Sequence, residues 1–476
     1  MGSPSLCAKV TEQESTTPDR CGNSWFAVSW SRQRRLDGRA YDAGVRRSSN
    51  TEAELARRLY PPESVLDHIT DGSDVIVGVA NGAPDTILDA IEAGADRFHD
   101  VRLHQMLPLR NRPYIRGELP GLRHVSWFLS DCDRQAFADG HCDLVPNNFS
   151  DVPKLLRRTA RRPLAIASAS PPDAHGYFSL GCHADYMAAL AGDVPLFLEV
   201  NAAMPRTFGE NQVHVSQVVG WSEADYPLTE VDQPVASPAD RRIAELVAER
   251  IPDGATLQVG IGAIPGTVLG LLYDRQHLGI NSELITDAVV DLVESGAVSG
   301  GLKRHNRNKV VTTAALGSRR LYDFVDENPG VEFWPVDYTN DSQRVATEDR
   351  FVAINATLEV DFLGQCASES LGSHYFSSSG GQADFARGAI YSPEGQSFIV
   401  LHSSTHDCTV SRVVPQLQAG AAVTTYKNIV DRVVTEHGVA ELRGTTVRER
   451  TQRLIAVADP AFRDTLTNEA RRMGFI

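Results

Sequence analysis

Short apolar runs alternate with helically spaced apolar positions from residue 51 to the C-terminus. Val75-Ile76-Val77 reads as a buried strand, and 85–91 as a helix. Residues 163–167 and 195–200 read as further strands, with a helix over 184–191 between them. The same alternation resumes after Asp253. Strands separated by helical stretches are the pattern of a parallel sheet covered by helices. The expected fold class is therefore α/β, in two similar α/β domains with mainly parallel sheets. Pro227, Pro234 and Pro238, set among several acids over 221–238, place the boundary so that the domains run 51–235 and 236–476. Residues 1–50 are rich in Ser, Thr and Arg without periodicity, and are expected to be an unstructured tail. Thr51-Glu52-Ala53-Glu54 fits a capping box that opens a short helix ending before Pro61.

The two halves share one local pattern. Strand 75–77 is followed by GVANGAP (78–84) and then a helix, and strand 255–259 by GIGAIPG (260–266) and then a helix. Each turn carries a proline near the first helical turn, where a missing N–H costs nothing. Strand–turn–helix units are common, so this single match leaves both duplication and coincidence open.

Composition narrows the function classes. The 476 residues carry 46 Lys+Arg against 61 Asp+Glu, a net charge of −15. Such a surface repels phosphate backbones and anionic lipid, so neither nucleic acid nor membrane is an expected partner. No apolar run approaches the roughly 20 residues of a spanning helix. Seven cysteines, an odd number without a CxxC pair, give neither a disulfide framework nor a zinc ribbon, and point to a reducing, cytoplasmic location.

Three places could carry chemistry. In GIGAIPG, Gly260 and Gly262 let the backbone bend and turn N–H groups toward a helix start, which suits an anion; it serves equally as a turn needed for packing. Within 278–296 the apolar positions Leu284, Ala288 and Leu292 recur at helical spacing, so a helix is expected to begin near Ser282. Glu283 then falls in its first turn, where the helix dipole favours carboxylate whether or not the residue is catalytic. In 375–389 three serines, two glycines, Gln382 and Asp384 make a polar, close-packing loop that is compatible with a site or with a surface turn. His402, His406 and Cys408 have metal-like spacing without a completing cluster, and His141-Cys142 beside Cys132 is equally unsupported, so no metal is expected. The basic run Arg157, Arg158, Arg161 and Arg162 reads as the solvated face of a helix. Neither a GxSxG elbow nor a Walker loop is present.

Taken together, these places resemble the acetyl-CoA hydrolase/transferase family, which includes 4-hydroxybutyrate and acetate CoA-transferases. The resemblance rests on GIGAIP, NSELITDAVVDL (281–292) and SGGQADFARGA (379–389). It continues in SPPDAHGYFSLG (170–181), VNAAMPRTFG (200–209), INATLEVDFLGQ (354–365), SRVVP (411–415) and VTEHGVAELRG (434–444). It implies that each half is like one subunit of a CoA-transferase, and that CoA is exchanged between an acyl-CoA and a small carboxylic acid through a glutamyl-CoA thioester. Acyl-CoA hydrolysis by the same fold is the alternative, and an acyl-CoA sensor a third reading, against which the retained Glu283 counts. The family's catalytic glutamate falls on Glu283. Its CoA-binding loop falls on Gly260, Ile261, Gly262, Ala263 and Ile264, with Gly380 and Gly381 of the GGQ stretch; Gln382 and Ser377 fall in the acyl and oxyanion region. Coenzyme A is implied as a substrate, with no permanently bound cofactor, and the assembly as a homo-oligomer, a dimer or larger. The chain departs from the family pattern at Asn281, where a histidine is usual, at Ser282 for threonine, at Ser378 for glycine, and at His406-Asp407-Cys408 for a glycine-rich approach to SRVVP.

Overall fold

The structure, a computed structural model, describes residues 49–476. The first helix, α1 (Ser49–Arg58), begins two residues before the expected capping box, so Thr51 lies inside it rather than at its cap. Apart from Ser49 and Asn50, the expected tail lies outside the described residues.

Seven strands build the first sheet: β1 (Asp74–Val77), β2 (Val101–Met106), β3 (Leu122–Phe128), β4 (Cys142–Leu144), β5 (Leu164–Ala169), β6 (Leu196–Asn201) and β7 (Gly220–Ala224). Their order is β7-β6-β5-β1-β2-β3-β4, every neighbour parallel. Alternate residues of these strands feed two different cores. Val75, Val77, Ile166 and Phe197 pack on one face, and Ile76, Ala165, Ala167 and Leu198 on the other. A strand buried on both sides reads as a continuous apolar run, which is why 75–77 was legible.

The second sheet repeats the plan. Its strands are β8 (Thr256–Val259), β9 (Gly279–Ile285), β10 (Val310–Ala315), β11 (Val331–Phe333), β12 (Phe351–Ala356), β13 (Gln396–Val400), β14 (Arg432–Thr435) and β15 (Gly438–Glu441). The order β14-β13-β12-β8-β9-β10-β11 is that of the first sheet with seven added to each index, and β15 joins antiparallel at one edge. The resemblance between the two glycine turns is thus one part of a repeated topology. Each turn follows the central strand, β1 or β8, of its sheet, and each is followed by a helix, α2 (Asp85–Ala93) or α3 (Ala263–Gly270).

The halves interlock. The Ala184 N–H donates to the Thr313 carbonyl, and the Ala315 N–H to the Cys182 carbonyl, both at 2.8 Å, so 182–184 runs along the end of β10. Phe208 and Gly209, from the first half, pair in parallel with Glu332 and Phe333 and add an edge to the second sheet. The basic run is a helix face only in its first half. Arg157 and Arg158 lie in the helix Val152–Thr159, whereas Arg161, beyond it, pairs with Asp74 and Asp100. Among the described residues no helix is long and apolar enough to cross a membrane.

Gly209 sits at φ +115°, and a Cβ on it would overlap the Phe333 carbonyl oxygen. Gly209→Ala is expected to cost about 2 kcal/mol through left-handed strain and loss of the edge pairing. Thermal unfolding checks this, and an unchanged midpoint would show that the edge contributes nothing to stability.

Candidate active site

In an open parallel sheet, ligands sit beyond the carboxyl ends of the strands, where successive connections diverge to opposite sides. In the second sheet that place is the end of β8, flanked by β9 and β12. GIGAIPG occupies it. Gly262 is the N-cap of α3 at φ +131°, a conformation that favours glycine, and Ile261 beside it is 46% exposed. Ile264 turns inward into the core.

Glu283 is not in a helix. It lies near the end of β9, which pairs with β8 and β10, and the next helix, α4 (Asp287–Glu294), starts only beyond it. The helical spacing of Leu284, Ala288 and Leu292 misled because a short buried strand running into a helix has no alternation to reveal it. The pairing Leu257 with Ile280, carried forward three residues, brings Gly260 level with Glu283. In the first half the pairing Ile76 with His104, carried forward two, brings Gly78 level with Met106. The repeat therefore holds one acid, with methionine in its counterpart.

Part of Glu283 still meets the surface, but its carboxyl group is packed among protein atoms, and burial pushes its pKa up to about 7. The expected dipole effect would have run the other way. Two neutral donors oppose the rise: the Asn340 side-chain amide, 2.7 Å from Oε2, and the backbone N–H of Gly381. Asn340 follows the short helix Val336–Thr339, and the Asn281 amide donates to the Thr339 carbonyl at 3.1 Å, steadying that approach. Ser282, one residue before the acid, bonds back to Val259 and Leu284.

Gly380 and Gly381 form the turn before helix α5 (Gln382–Tyr391), with Gly380 at φ +54°. A Cβ on Gly381 would overlap both Glu283 Oε2 and Asn340 Nδ2, so the close approach of this backbone to the acid requires glycine. The Gln382 amide is engaged away from the acid, on the hydroxyls of Ser368 and Thr425, at 2.9 Å each. The Ser377 hydroxyl donates to the Ser378 carbonyl, bracing its own loop.

Asn340 escaped the sequence reading. It stands 57 residues after Glu283 in a stretch without a motif, and no local signal marks it. Of the metal-like spacings, His402 bonds Asp240 at 2.7 Å, while His406 and Cys408 are exposed. A different trio, His124, Asp133 and Cys142, is buried with its ligand atoms within 4.8 Å of one another. These atoms already serve one another and the backbone: His124 Nε2 lies 3.1 Å from Asp133 Oδ2, and the Cys142 thiol, pushed up to about 12 by burial, donates to the Asp143 carbonyl.

Comparison with known proteins identifies the family and the fold. Residues 44–237 match the acetyl-CoA hydrolase/transferase N-terminal domain, and 317–470 the C-terminal domain. The chain is 40% identical to the succinyl-CoA:cyclohexane-1-carboxylate CoA transferase of Geobacter metallireducens, over 89% of this chain and 98% of that one. It is 39% identical to the 4-hydroxybutyrate coenzyme A transferase of Clostridium kluyveri, over 87% and 97%. The crystal structure of RipA from Yersinia pestis superposes with a TM-score of 0.84 at 35% identity, over 90% of this chain and all of that one.

Removing the Asn340 amide takes away a bond that favours the charged form. Asn340→Ala is therefore expected to raise the Glu283 pKa above about 7, by about one unit. Infrared titration of glutamate labelled with ¹³C, differenced against Glu283→Gln, checks this; an unmoved value would remove Asn340 as a partner of the charged acid.

Proposed function

The chain belongs to the acetyl-CoA hydrolase/transferase family, and from that premise we propose that it moves CoA between an acyl-CoA and a small carboxylic acid, with Glu283 as the covalent nucleophile. The observation that carries the reading is the Glu283 carboxyl, desolvated and met by Asn340 and the Gly381 amide at the divergence point of the sheet.

The Glu283 carboxylate attacks the thioester carbonyl, the carbon–sulfur bond breaks, and a mixed anhydride forms with CoA thiolate released. The thiolate then attacks the glutamyl carbonyl, leaving a Glu283–CoA thioester and freeing the first acid as its anion. An incoming carboxylate runs the steps in reverse. Coenzyme A thus enters and leaves as a substrate.

The first attack is uphill for an ordinary glutamate, whose pKa lies about 4 units below that of a thiol. Burial narrows this gap to about 1 or 2 units and strengthens the nucleophile. The neutral donors keep the carboxyl aimed without holding it so tightly that attack is lost. In the tetrahedral intermediate, backbone N–H groups of 261–263 and of Gly381 are suited to receive the oxyanion, each worth roughly 3 kcal/mol in comparable sites. Hydrolysis of acyl-CoA is the second reading, because an anhydride or thioester that meets water gives the free acid and the family name covers both outcomes.

Glu283→Gln is expected to lower transfer by about a thousandfold or more, with the fold intact. Mass spectrometry of enzyme mixed with acyl-CoA is expected to find a CoA adduct on Glu283; near-normal transfer by Glu283→Gln removes it as nucleophile. Since the carboxylate is the attacking form, kcat/KM for acyl-CoA is expected to rise as pH passes upward through about 7 and to level off above. A panel of acetate, propionate, butyrate, 4-hydroxybutyrate, succinate and itaconate with the matching CoA esters separates the two activities. Transfer releases new CoA ester only with an acceptor acid, whereas hydrolysis releases CoA without one.

A further inference from the structure

The turn that brings Gly381 to Glu283 is gripped by residues of the first half. The Phe149 N–H donates to the Gly380 carbonyl at 3.0 Å. The Ser150 N–H donates to Asp384 Oδ2 at 3.2 Å, and the Ser150 hydroxyl to Asp384 Oδ1 at 2.8 Å. Asp384 is the third residue of α5, whose N-cap is Gly381. An acid there commonly serves the N–H groups of its own helix start. Here both oxygens of a buried side chain are turned instead onto a segment more than 200 residues earlier in the chain.

We infer that Asp384 is a positioning residue: by gripping Ser150 it fixes the Gly380–Gly381 peptide where its N–H meets the Glu283 carboxyl. The inference rests on Glu283 being the nucleophile.

Burial pushes the Asp384 pKa up to about 7; the Ser150 bonds oppose this, and the charges of Glu283 and of Asp151, on the facing segment, add to the rise. The Ser150 N–H and O–H thus answer a carboxyl that burial has taken from water, and hydrogen bonds to a charged acceptor are roughly twice as strong as neutral ones.

The test compares full-length parent, Asp384→Asn and Ser150→Ala, using the acyl-CoA and acid of the panel that the parent exchanges fastest. Asp384→Asn is expected to lower kcat by about 10- to 100-fold, with KM for acyl-CoA changed less than about threefold. The acid limb of its pH profile moves to higher pH, because a displaced Gly381 N–H no longer favours the Glu283 carboxylate. Ser150→Ala loses kcat in the same direction, to a smaller extent. An Asp384→Asn protein with kcat within about twofold of the parent overturns the inference, as does a loss that follows only the folded fraction while the acid limb stays in place. Absence of a Glu283 adduct in the parent would instead bring down the proposed function, so the two failures read differently.

Discussion

A carboxyl group removed from water and answered by neutral donors is the constraint on which the site depends. A nearby cation would hold Glu283 ionised at low pKa and make it a poor candidate for the nucleophile proposed above. Water would solvate it equally well and then compete for the acyl group. The structure takes a third course. Burial raises the pKa to about 7, while Asn340 and the Gly381 amide offset part of the desolvation and set the direction of the oxygens. The same packing explains the glycine at 381: the backbone must approach the acid's oxygens so closely that there is no room for a Cβ.

The repeated sheet explains how one chain builds such a place. Each half ends its central strand in a glycine turn at the point where the strand order diverges. In the second half the neighbouring strand carries Glu283 level with that turn, and in the first half the same register carries Met106. Met106 cannot act as a carboxylate nucleophile. The first half's contribution lies elsewhere, in the segment around Phe149 and Ser150 that meets the Gly380 carbonyl and Asp384, and in the edge pairing of Phe208 and Gly209. The duplicated architecture has thus divided its labour, one half holding the buried acid and the other buttressing it.

The α/β class and the glycine turns were legible from the chain because they are local: continuous apolar runs mark strands buried on both faces, and Gly with Pro marks the turn that follows. Motif resemblance likewise singled out Glu283 and Gly381 as individual positions. Their environment was not legible. The helix expected at Ser282 is a strand because pairing with β8 and β10 outweighs a periodicity too short to discriminate, and with it the sign of the pKa shift reversed. Asn340 and Ser150 reach the site only by folding, from 57 residues downstream and more than 130 upstream of the acid. Hydrophobic pattern and turn chemistry are written in neighbouring residues. The desolvation, aim and protonation of a carboxyl group are set by whatever the fold packs around it, which neighbours in sequence do not specify.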